Sequence, residues 1–223
     1  MIPSFKEENK LWKRGFKRVA GIDEVGRGPL AGPVVACAVI VKRSDLQRRS
    51  DLCHIKDSKQ LSAKQREEIY SVLTKHPDVE WGIGVVSEKV IDKINILEAT
   101  KLAMVKAVDN LESKLIDVGH PKICRDVRHP KIYPKIDFLI LDGNFKINSV
   151  IPQKSIIRGD EKVFSCSCAS IIAKVTRDRM MLKYDKKYPC YGFAENKGYP
   201  TGFHRKMLRK HGPSKIHRKS FSY

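Results

Sequence analysis

The sequence predicts a single α/β domain built on a mixed β-sheet, and three observations lead to this fold class. The 223 residues are 41% hydrophobic, which is enough for one large globular domain with a sizeable core. Two apolar strands come first and are joined by a tight turn, which favours antiparallel pairing. Strands and helices then alternate, and this alternation is typical of parallel pairing. Both kinds of pairing within one domain make a mixed sheet.

The first half of the chain contains four predicted elements. Ser4 and Glu7 have the spacing of a capping box, which predicts a short helix that runs to about residue 14. Residues 19–23 and 34–41 are apolar runs of strand length, separated by a glycine-rich turn. A second capping box begins at Ser62, and apolar residues at helical spacing follow it, so a second helix is expected there.

The second half alternates strands and helices. Residues 81–86 predict a third strand, and from Ser87 onward apolar residues recur at nearly helical spacing. Residues 137–141 are wholly apolar after the first residue, which predicts a strand buried on both faces. Residues 154–158 predict a further strand. A long helix is expected over residues 161–188, where small side chains allow close packing.

The positive charge is concentrated in three segments. Lysine and arginine number 44 against 25 aspartates and glutamates, a formal net charge of +19. Residues 1–20, 119–135 and 180–223 carry +4, +4 and +9 and account for nearly all of this excess. The remaining body is close to neutral and contains the acidic motifs. A basic rim around an acidic centre is typical of a protein that binds a phosphate backbone over a metal site. The alternative is a generally basic, soluble surface.

Cysteine usage and hydropathy indicate a cytoplasmic protein without a membrane segment. The six cysteines, two of which lie within a predicted helix, lack the pattern of a disulfide framework, and reduced thiols are expected. The longest apolar runs, such as residues 33–41, are far too short to span a bilayer. The N-terminus lacks the charged and then apolar pattern of a signal peptide.

Two adjacent carboxylates, Asp23 and Glu24, end the first predicted strand and precede a turn formed by Gly26, Arg27 and Gly28. Carboxylates in a half-buried strand need a cationic partner, which is either a nearby arginine or a divalent metal. Neighbouring strand side chains point to opposite faces, so both carboxylates reach one site only if the strand twists or bends. The two glycines supply the backbone freedom for that bend.

Two further carboxylates stand at the ends of other elements. Asp142 follows the apolar strand 137–141, a common position for a site in α/β sheets, although a turn that caps the strand is the simpler interpretation. Asp160 begins the long helix, where an ordinary N-cap is the alternative. With Asp23 and Glu24 these residues form a plausible cage of hard oxygen ligands, which Mg²⁺ and Mn²⁺ prefer.

Eight short motifs occur in a fixed order along the chain. They are Gly21-Ile-Asp-Glu-Val-Gly-Arg-Gly28, Asp57-Ser-Lys59, Leu141-Asp-Gly143, Gly159-Asp160, Ala169-Ser-Ile-Ile-Ala-Lys-Val-Thr-Arg-Asp178, Tyr188-Pro-Cys-Tyr-Gly-Phe193, Lys197-Gly-Tyr-Pro-Thr201 and His217-Arg-Lys-Ser-Phe221. In this order they resemble bacterial ribonuclease HII, the type 2 ribonuclease H family. The resemblance covers about residues 17–221. Eight motifs in register make it highly specific, although valine stands at position 25 where the family usually has alanine.

The resemblance implies an RNase H-like fold, a mixed sheet flanked by helices. It also implies an endonuclease that cuts RNA strands paired to DNA and incises at ribonucleotides embedded in duplex DNA. The family's four metal ligands fall on Asp23, Glu24, Asp142 and Asp160, where two Mn²⁺ or Mg²⁺ ions act during turnover. Two-ion chemistry activates a water and leaves 5′-phosphate and 3′-hydroxyl ends, so no nucleophilic side chain is required.

Substrate contacts are expected around the same motifs. The family's Gly-Arg-Gly element falls on Gly26, Arg27 and Gly28, and its substrate-stacking tyrosine on Tyr199, for which a buried loop aromatic is the alternative. Lys59 and Arg177 are predicted to contact phosphate, with a solvated loop lysine as the alternative for position 59. The histidines of the basic tail are expected at the surface or beside phosphate rather than as zinc ligands. They are His204, His211 and His217.

Residues 1–188 are expected to form the catalytic domain of a monomer. Residues 189–223 are expected to form a basic segment packed on or beside it, and residues 119–135 a basic surface insertion. Two other functions compete with the nuclease. A catalytically idle RNA–DNA binding module has no reason to keep four mutually repelling carboxylates. A structure-specific DNA endonuclease needs no turn that reads a 2′-hydroxyl.

Overall fold

The computed structural model describes residues 2–42, 61–117 and 136–222. Its helices and strands follow in this order: α1 (Lys6–Lys13), β1 (Val19–Val25), β2 (Val34–Val41), α2 (Ala63–Lys75), β3 (Val79–Val86), α3 (Glu88–Asp117), β4 (Phe138–Asp142), β5 (Gln153–Ile156), α4 (Gly159–Lys162), α5 (Phe164–Lys187), α6 (Phe193–Asn196) and α7 (Gly202–His211). A short 3₁₀ helix, Pro189–Tyr191, precedes α6. Every predicted strand is present within two residues of its expected bounds. Lys59 and the 119–135 insertion lie outside the described residues.

In the described residues the sheet has five strands in the order β3-β2-β1-β4-β5. The β1–β2 and β2–β3 pairs are antiparallel, whereas the β1–β4 and β4–β5 pairs are parallel. The predicted mixed sheet is therefore confirmed. Ile22 of β1 pairs with Leu141 of β4. The next residue on each strand is an aspartate, so Asp23 and Asp142 are neighbours at the carboxyl ends of two parallel strands.

Helices cover both faces of the sheet. α3 packs against β2 and β3 on one face, and α5 packs against β1 and β2 on the other. All eight residues of β2 are buried because its side chains alternate between the two faces of the sheet. Ala36 packs in the apolar cluster between the sheet and α3, and Val35 packs in the cluster between the sheet and α5. α3 approaches β3 so closely that a Cβ at Gly84 would collide with the carbonyl oxygen of Ala103.

Two helix boundaries differ from the sequence prediction. No side chain caps α1. Glu7 instead forms ion pairs with Lys10 at 2.5 Å and Lys154 at 2.9 Å, while Ser4 forms a backbone bridge with Val163, so the predicted capping box is wrong. The predicted long helix is divided into α4 and α5 because Val163 between them has extended backbone angles.

The C-terminal elements pack onto the body of the protein. Tyr191, Phe193 and Leu208 share an apolar cluster with Leu30 and Ala31, which belong to the loop between β1 and β2. The cysteines within the described residues are free thiols, and three of those four are buried. None of the helices in the described residues has the length and apolar character needed to cross a membrane.

Candidate active site

Three carboxylates converge at the carboxyl ends of the central parallel strands. Asp23 lies near the end of β1, Asp142 is the last residue of β4, and Asp160 lies in the first turn of α4. One oxygen of each carboxylate lies within 4.8 Å of an oxygen of both others. The main-chain N–H of Gly159 donates to Asp142 Oδ1 at 2.7 Å and holds the start of α4 against the end of β4. The structure thus brings three of the four predicted metal ligands together.

The pKa of Asp23 is strongly perturbed. Its side chain is 5% exposed, and burial raises its pKa well above the ordinary value. The charges of Glu24 and Asp142 raise this pKa further, as does Asp160, whereas a hydrogen bond from the Ser170 hydroxyl lowers it. Ser170 lies on α5 within the motif 169–178, but the sequence analysis gave it no role in the site.

Glu24 is the fourth predicted ligand. It lines the same cavity, but among the described residues its oxygens fall outside the group of three defined by the 4.8 Å limit. Arg27 Nη1 donates to Glu24 Oε1 at 3.3 Å. Burial raises the pKa of Glu24; the charge of Arg27 opposes this shift, and that of Asp142 adds to it. Adjacent side chains of one strand leave in different directions. The Glu24 carboxylate is therefore paired with Arg27, whereas the Asp23 carboxylate lies beside those of Asp142 and Asp160.

The Gly26–Gly28 turn is held by Arg218, whose side chain is fully buried. The Arg218 guanidinium donates to the carbonyl oxygens of Gly26 at 2.5 Å and Arg27 at 2.9 Å, and to that of Gly32. Gly26 has φ of +96°, a left-handed conformation that favours glycine. Sequence reasoning missed Arg218 because its partners are carbonyl groups up to 192 residues away.

Arg177 does not occupy the position expected for a phosphate ligand. Its side chain is fully buried, and its guanidinium donates to the carbonyl oxygens of Pro33, Lys197 and Ala31 at 2.9, 3.0 and 3.1 Å. Every nitrogen of the guanidinium therefore faces the main chain. Arg177 joins the loop after β1 to the loop before α7, and the expectation of a phosphate contact is corrected accordingly.

Tyr199 lies beside the glycine turn. A Cβ at Gly28 would stand 3.7 Å from Tyr199 Cε1, and Cζ of Arg177 lies 5.9 Å from the centre of the tyrosine ring. The tyrosine is 37% exposed and lines the same cavity as the carboxylates. The alternative of a buried loop aromatic does not describe this position.

The cavity has a volume of about 350 Å³ and also contains basic side chains. Arg66 of α2 and Lys174 of α5 line it together with the carboxylates and the turn. Lys174 forms an ion pair with Asp178 at 2.9 Å. Neither base was assigned to the site from the sequence. Lys59 lies outside the described residues, so its phosphate contact stays a prediction.

Two of the tail histidines are not at the surface. His204 and His217 are 0% and 2% exposed, and their Nε2 atoms are 2.9 Å apart. His211, in contrast, is exposed at the end of α7. The expectation of surface histidines is wrong for this pair because Tyr191 and Phe193 pack around the two rings.

The donor set of the acidic group fits a hard divalent cation. Carboxylate oxygens are the ligands that Mg²⁺ and Mn²⁺ prefer. Burial, with the charges of Glu24 and Asp142 adding to it, raises the pKa of Asp23, so a cation held by these carboxylates would offset an electrostatic cost. Within the described residues, no cluster of this kind includes a histidine or cysteine, so a softer, zinc-like donor set finds no support.

The chain is similar to ribonucleases HII along almost its whole length. The family model described as Ribonuclease HII matches residues 20–223. Ribonuclease HII of Alkaliphilus metalliredigens is 44% identical over 214 residues, which cover 96% of this chain and 94% of that protein. Ribonuclease HII of Chlamydia caviae is 46% identical over 215 residues, which cover 96% of this chain and 89% of that protein.

Solved structures agree with the fold. The crystal structure of ribonuclease H2 from Pyrococcus horikoshii superposes with a TM-score of 0.67 at 28% identity, covering 92% of this chain and 94% of that one. Bst-RNase HIII in complex with Mn²⁺ superposes with a TM-score of 0.59 at 20% identity, covering 87% of this chain and 63% of that one, a likeness of fold alone. The predicted RNase H-like sheet with flanking helices is confirmed.

Proposed function

Because the chain belongs to the ribonuclease HII family, it is a ribonuclease H that acts on RNA–DNA hybrids, and we propose that it also incises single ribonucleotides embedded in duplex DNA. The cut leaves 5′-phosphate and 3′-hydroxyl ends. One observation carries this proposal: the carboxylate group, the Gly26–Gly28 turn and the Tyr199 ring line the same cavity. A phosphodiester bond bound in this cavity would lie beside both the carboxylates and the glycine turn.

The carboxylates are assigned as ligands of Mn²⁺ or Mg²⁺. Asp23, Asp142 and Asp160 form the centre, and Glu24 supplies the fourth carboxylate from the same cavity. When bound, two such ions supply an activated water and neutralise charge at the leaving 3′-oxygen. The chain itself orients the ligands, since the Gly159 N–H holds Asp142 and the Ser170 hydroxyl holds Asp23.

The Gly26–Gly28 turn is assigned as the reader of the 2′-hydroxyl group. Glycines on both sides of Arg27 allow the backbone to approach a ribose closely. The 2′-hydroxyl is the group that distinguishes RNA from DNA at a given position. The hydrogen bonds from Arg218 to the carbonyls of Gly26 and Arg27 support this role, because they fix the turn before substrate arrives.

Tyr199 is assigned to stack on the sugar next to the ribonucleotide. Its half-exposed ring stands beside Gly28, so the two can contact adjacent nucleotides. Reading a 2′-hydroxyl at one position and stacking at the next selects a junction where RNA passes into DNA. Single-ribonucleotide duplexes depend on this selection, whereas long hybrids offer other sugars at the stacking position.

The remaining substrate contacts are assigned to positive charge outside the centre. Residues 1–188 are proposed to form the catalytic unit, and residues 189–223 to add phosphate contacts from beside it. The exposed basic side chains of α7 support this assignment. The protein is proposed to bind the duplex as a monomer.

Substitution of Tyr199 tests the proposal. Stacking of a base on an aromatic side chain contributes about 1–3 kcal/mol, and with a contribution of this size Tyr199→Ala is expected to lower kcat/KM on a single-ribonucleotide duplex by about tenfold to a hundredfold. The loss on a long RNA–DNA hybrid should be much smaller. Tyr199→Phe keeps the ring and should lose little if stacking dominates. The measurement is kcat/KM of each variant on both substrates, in Mn²⁺ and in Mg²⁺.

Tyr70 offers a matched control. An arginine also lies over the Tyr70 ring, with Arg179 Cζ 4.4 Å from its centre, but Tyr70 does not line the cavity. Tyr70→Ala should therefore affect both substrates equally through stability alone. Equal losses on the two substrates for Tyr199→Ala would make Tyr199 a structural loop residue and remove junction selection from the proposal.

A further inference from the structure

We propose that the buried His204–His217 pair is a positioning device that sets the Tyr199 loop and thereby tunes selection of the RNA–DNA junction. This inference deepens the proposed function and rests on the stacking role of Tyr199. Neither histidine is a catalytic residue, since neither lines the active-site cavity. Their effect on substrate is transmitted through the main chain of Tyr199.

The main-chain N–H of Ser214 assigns a direction to the hydrogen bonds of the pair. The main-chain N–H of Ser214 donates to His217 Nδ1 at 2.8 Å, so this nitrogen is the unprotonated acceptor of a neutral ring. His217 Nε2 therefore carries the hydrogen and donates it to His204 Nε2 at 2.9 Å. His204 Nδ1 then carries the second hydrogen and donates it to the carbonyl oxygen of Tyr199 at 2.8 Å. An ordered chain of donors thus runs from Ser214 to Tyr199.

The surroundings favour this neutral arrangement. The centre of the Tyr191 ring lies 4.9 Å from that of His217, and the Phe193 ring meets His204 edge-on at 5.4 Å. Burial lowers the pKa of His204 and lowers that of His217 to about 4, with the charge of the other ring lowering the second further. A second proton on His204 would face the N–H of His217 at 2.9 Å, and one on His217 would face the main-chain N–H of Ser214 at 2.8 Å. Burial and the facing N–H groups therefore both favour the neutral form of the two rings.

The series of hydrogen bonds ends at the main-chain carbonyl of Tyr199, which also anchors α7. This carbonyl oxygen accepts a second hydrogen bond from the Thr201 N–H at 2.8 Å. The Thr201 hydroxyl in turn caps α7 by accepting from the His204 N–H. His204 thus holds the backbone of Tyr199 through its ring and the start of α7 through its own N–H. The tyrosine backbone is fixed, while its ring is half-exposed in the cavity.

The neighbouring loop depends on the same anchorage. The Gly198 carbonyl accepts from the Leu30 N–H at 2.8 Å, and the Lys197 carbonyl accepts from buried Arg177. These bonds tie residues 197 and 198 to the loop that follows the glycine turn, while the histidine chain ties residue 199 to the C-terminal segment. The distance between the Tyr199 ring and Gly28 is therefore set from both sides. Removing the histidine hydrogen bond to residue 199 is expected to make the position of the Tyr199 ring less fixed without altering the carboxylates.

Two substitutions at position 204 separate ring packing from hydrogen bonding. His204→Phe keeps a ring of similar size but removes the donor to Tyr199. His204→Asn places an amide N–H near the position of Nδ1 and retains that donor. One net hydrogen bond corresponds to about a twofold to tenfold change, so His204→Phe should lower the ratio of kcat/KM on the single-ribonucleotide duplex to that on a long hybrid by this factor. His204→Asn should restore most of the ratio.

Leu208→Val is the matched structural control. Leu208 lies on the same helix as His204 and in the apolar cluster around the two rings, but its aliphatic side chain can neither donate nor accept a hydrogen bond. This variant should lower the melting temperature and leave the substrate ratio unchanged. An unchanged ratio for His204→Phe, or the same fall in Leu208→Val, would overturn the proposal.

Two further measurements distinguish failure of this inference from failure of the stacking role. In a Tyr199→Ala background, His204→Phe should produce no additional change in the ratio; a full additional change would show that the histidine acts elsewhere. If Tyr199→Ala alone leaves the ratio unchanged, stacking itself is refuted. Nuclear magnetic resonance of the imidazoles is independent of activity and should show His204 protonated at Nδ1 and His217 at Nε2. The opposite tautomers would overturn the ordered chain even if stacking holds.

Discussion

Replacing Asp142 by asparagine is expected to stabilise the metal-free protein while abolishing cleavage. The ligand oxygens of Asp142, Asp23 and Asp160 lie within 4.8 Å of one another, and two unit charges at this separation repel by about 3–4 kcal/mol at an effective dielectric constant of about 20. Asparagine keeps an oxygen to accept from the Gly159 N–H but removes the charge. Because the raised pKa of Asp23 relieves part of the repulsion by protonation, the net gain is about 1–3 kcal/mol.

Metal should cancel this advantage. In a chelator, the gain corresponds to a melting temperature higher by about 2–12 °C for a chain of this size. A divalent ion at about 100 times its Kd stabilises a protein that binds it only when folded by about 2.7 kcal/mol. The wild type should show this rise in Mn²⁺, whereas the variant lacks one ligand and should show little of it.

Thermal unfolding in EDTA and in Mn²⁺, followed by circular dichroism, measures both effects, and cleavage of an RNA–DNA hybrid measures activity. Asp109→Asn is the matched control, since it removes the same charge from an exposed position on α3. It should resemble the wild type in both buffers and in cleavage. A metal-free Asp142→Asn protein that melts below the wild type, or a wild type that Mn²⁺ does not stabilise, would refute the reasoning.

Three other predictions concern the turn, the histidines and the tail. Gly26→Ala should lower the free energy of unfolding by about 1–3 kcal/mol because φ is +96° and the new Cβ would meet Arg177, whereas Gly28→Ala should change it by less than about 0.5 kcal/mol. Equal denaturation midpoints for the two variants would contradict this. The unfolded chain binds a proton at His217 below about pH 6.5 while the folded protein stays neutral to about pH 4, so stability falls as pH falls. The stability advantage over His217→Gln should therefore shrink by about 2 kcal/mol between pH 7 and pH 5, and a constant difference would exclude a neutral buried ring. Replacing the exposed bases of α7 by glutamine should lower the log–log salt slope of duplex binding by about 0.9 for each phosphate that is no longer neutralised, and an unchanged slope would leave them a solubilising surface. These bases are Arg205, Lys206, Arg209 and Lys210.

The sheet and its acidic centre could be predicted because both depend on local patterns. The eight apolar residues of β2 require burial on both faces, and the structure provides a helix on each side. Asp142 directly follows a buried strand, and parallel pairing with β1 brings it beside Asp23. Patterns of this kind are determined within a few residues. They survive because tertiary packing satisfies them rather than opposing them.

The buried side chains that hold the glycine turn and the Tyr199 loop could not be predicted, because most of their partners are main-chain carbonyls that are remote in sequence. In the sequence Arg177 is one more base in a basic protein, yet its partners lie up to 146 residues away. Arg218 is a similar case, with carbonyl partners up to 192 residues away. The partners of the histidine pair are only 5 and 13 residues away, but side-chain type alone does not reveal which group a ring nitrogen will contact. Ser4 shows the opposite failure: the local capping pattern is present, but a backbone bridge to Val163 takes its place.

Cleavage of a duplex with one ribonucleotide most directly tests the claim that an acidic metal centre and a 2′-hydroxyl reader act together. The protein is incubated with this duplex and with the matched all-DNA duplex in Mn²⁺, Mg²⁺ or EDTA, and the cut is mapped with its end groups. We expect one cut at the ribonucleotide, with 5′-phosphate and 3′-hydroxyl ends, only when a divalent ion is present. Cleavage of the all-DNA duplex, or metal-independent cleavage, would contradict the claim.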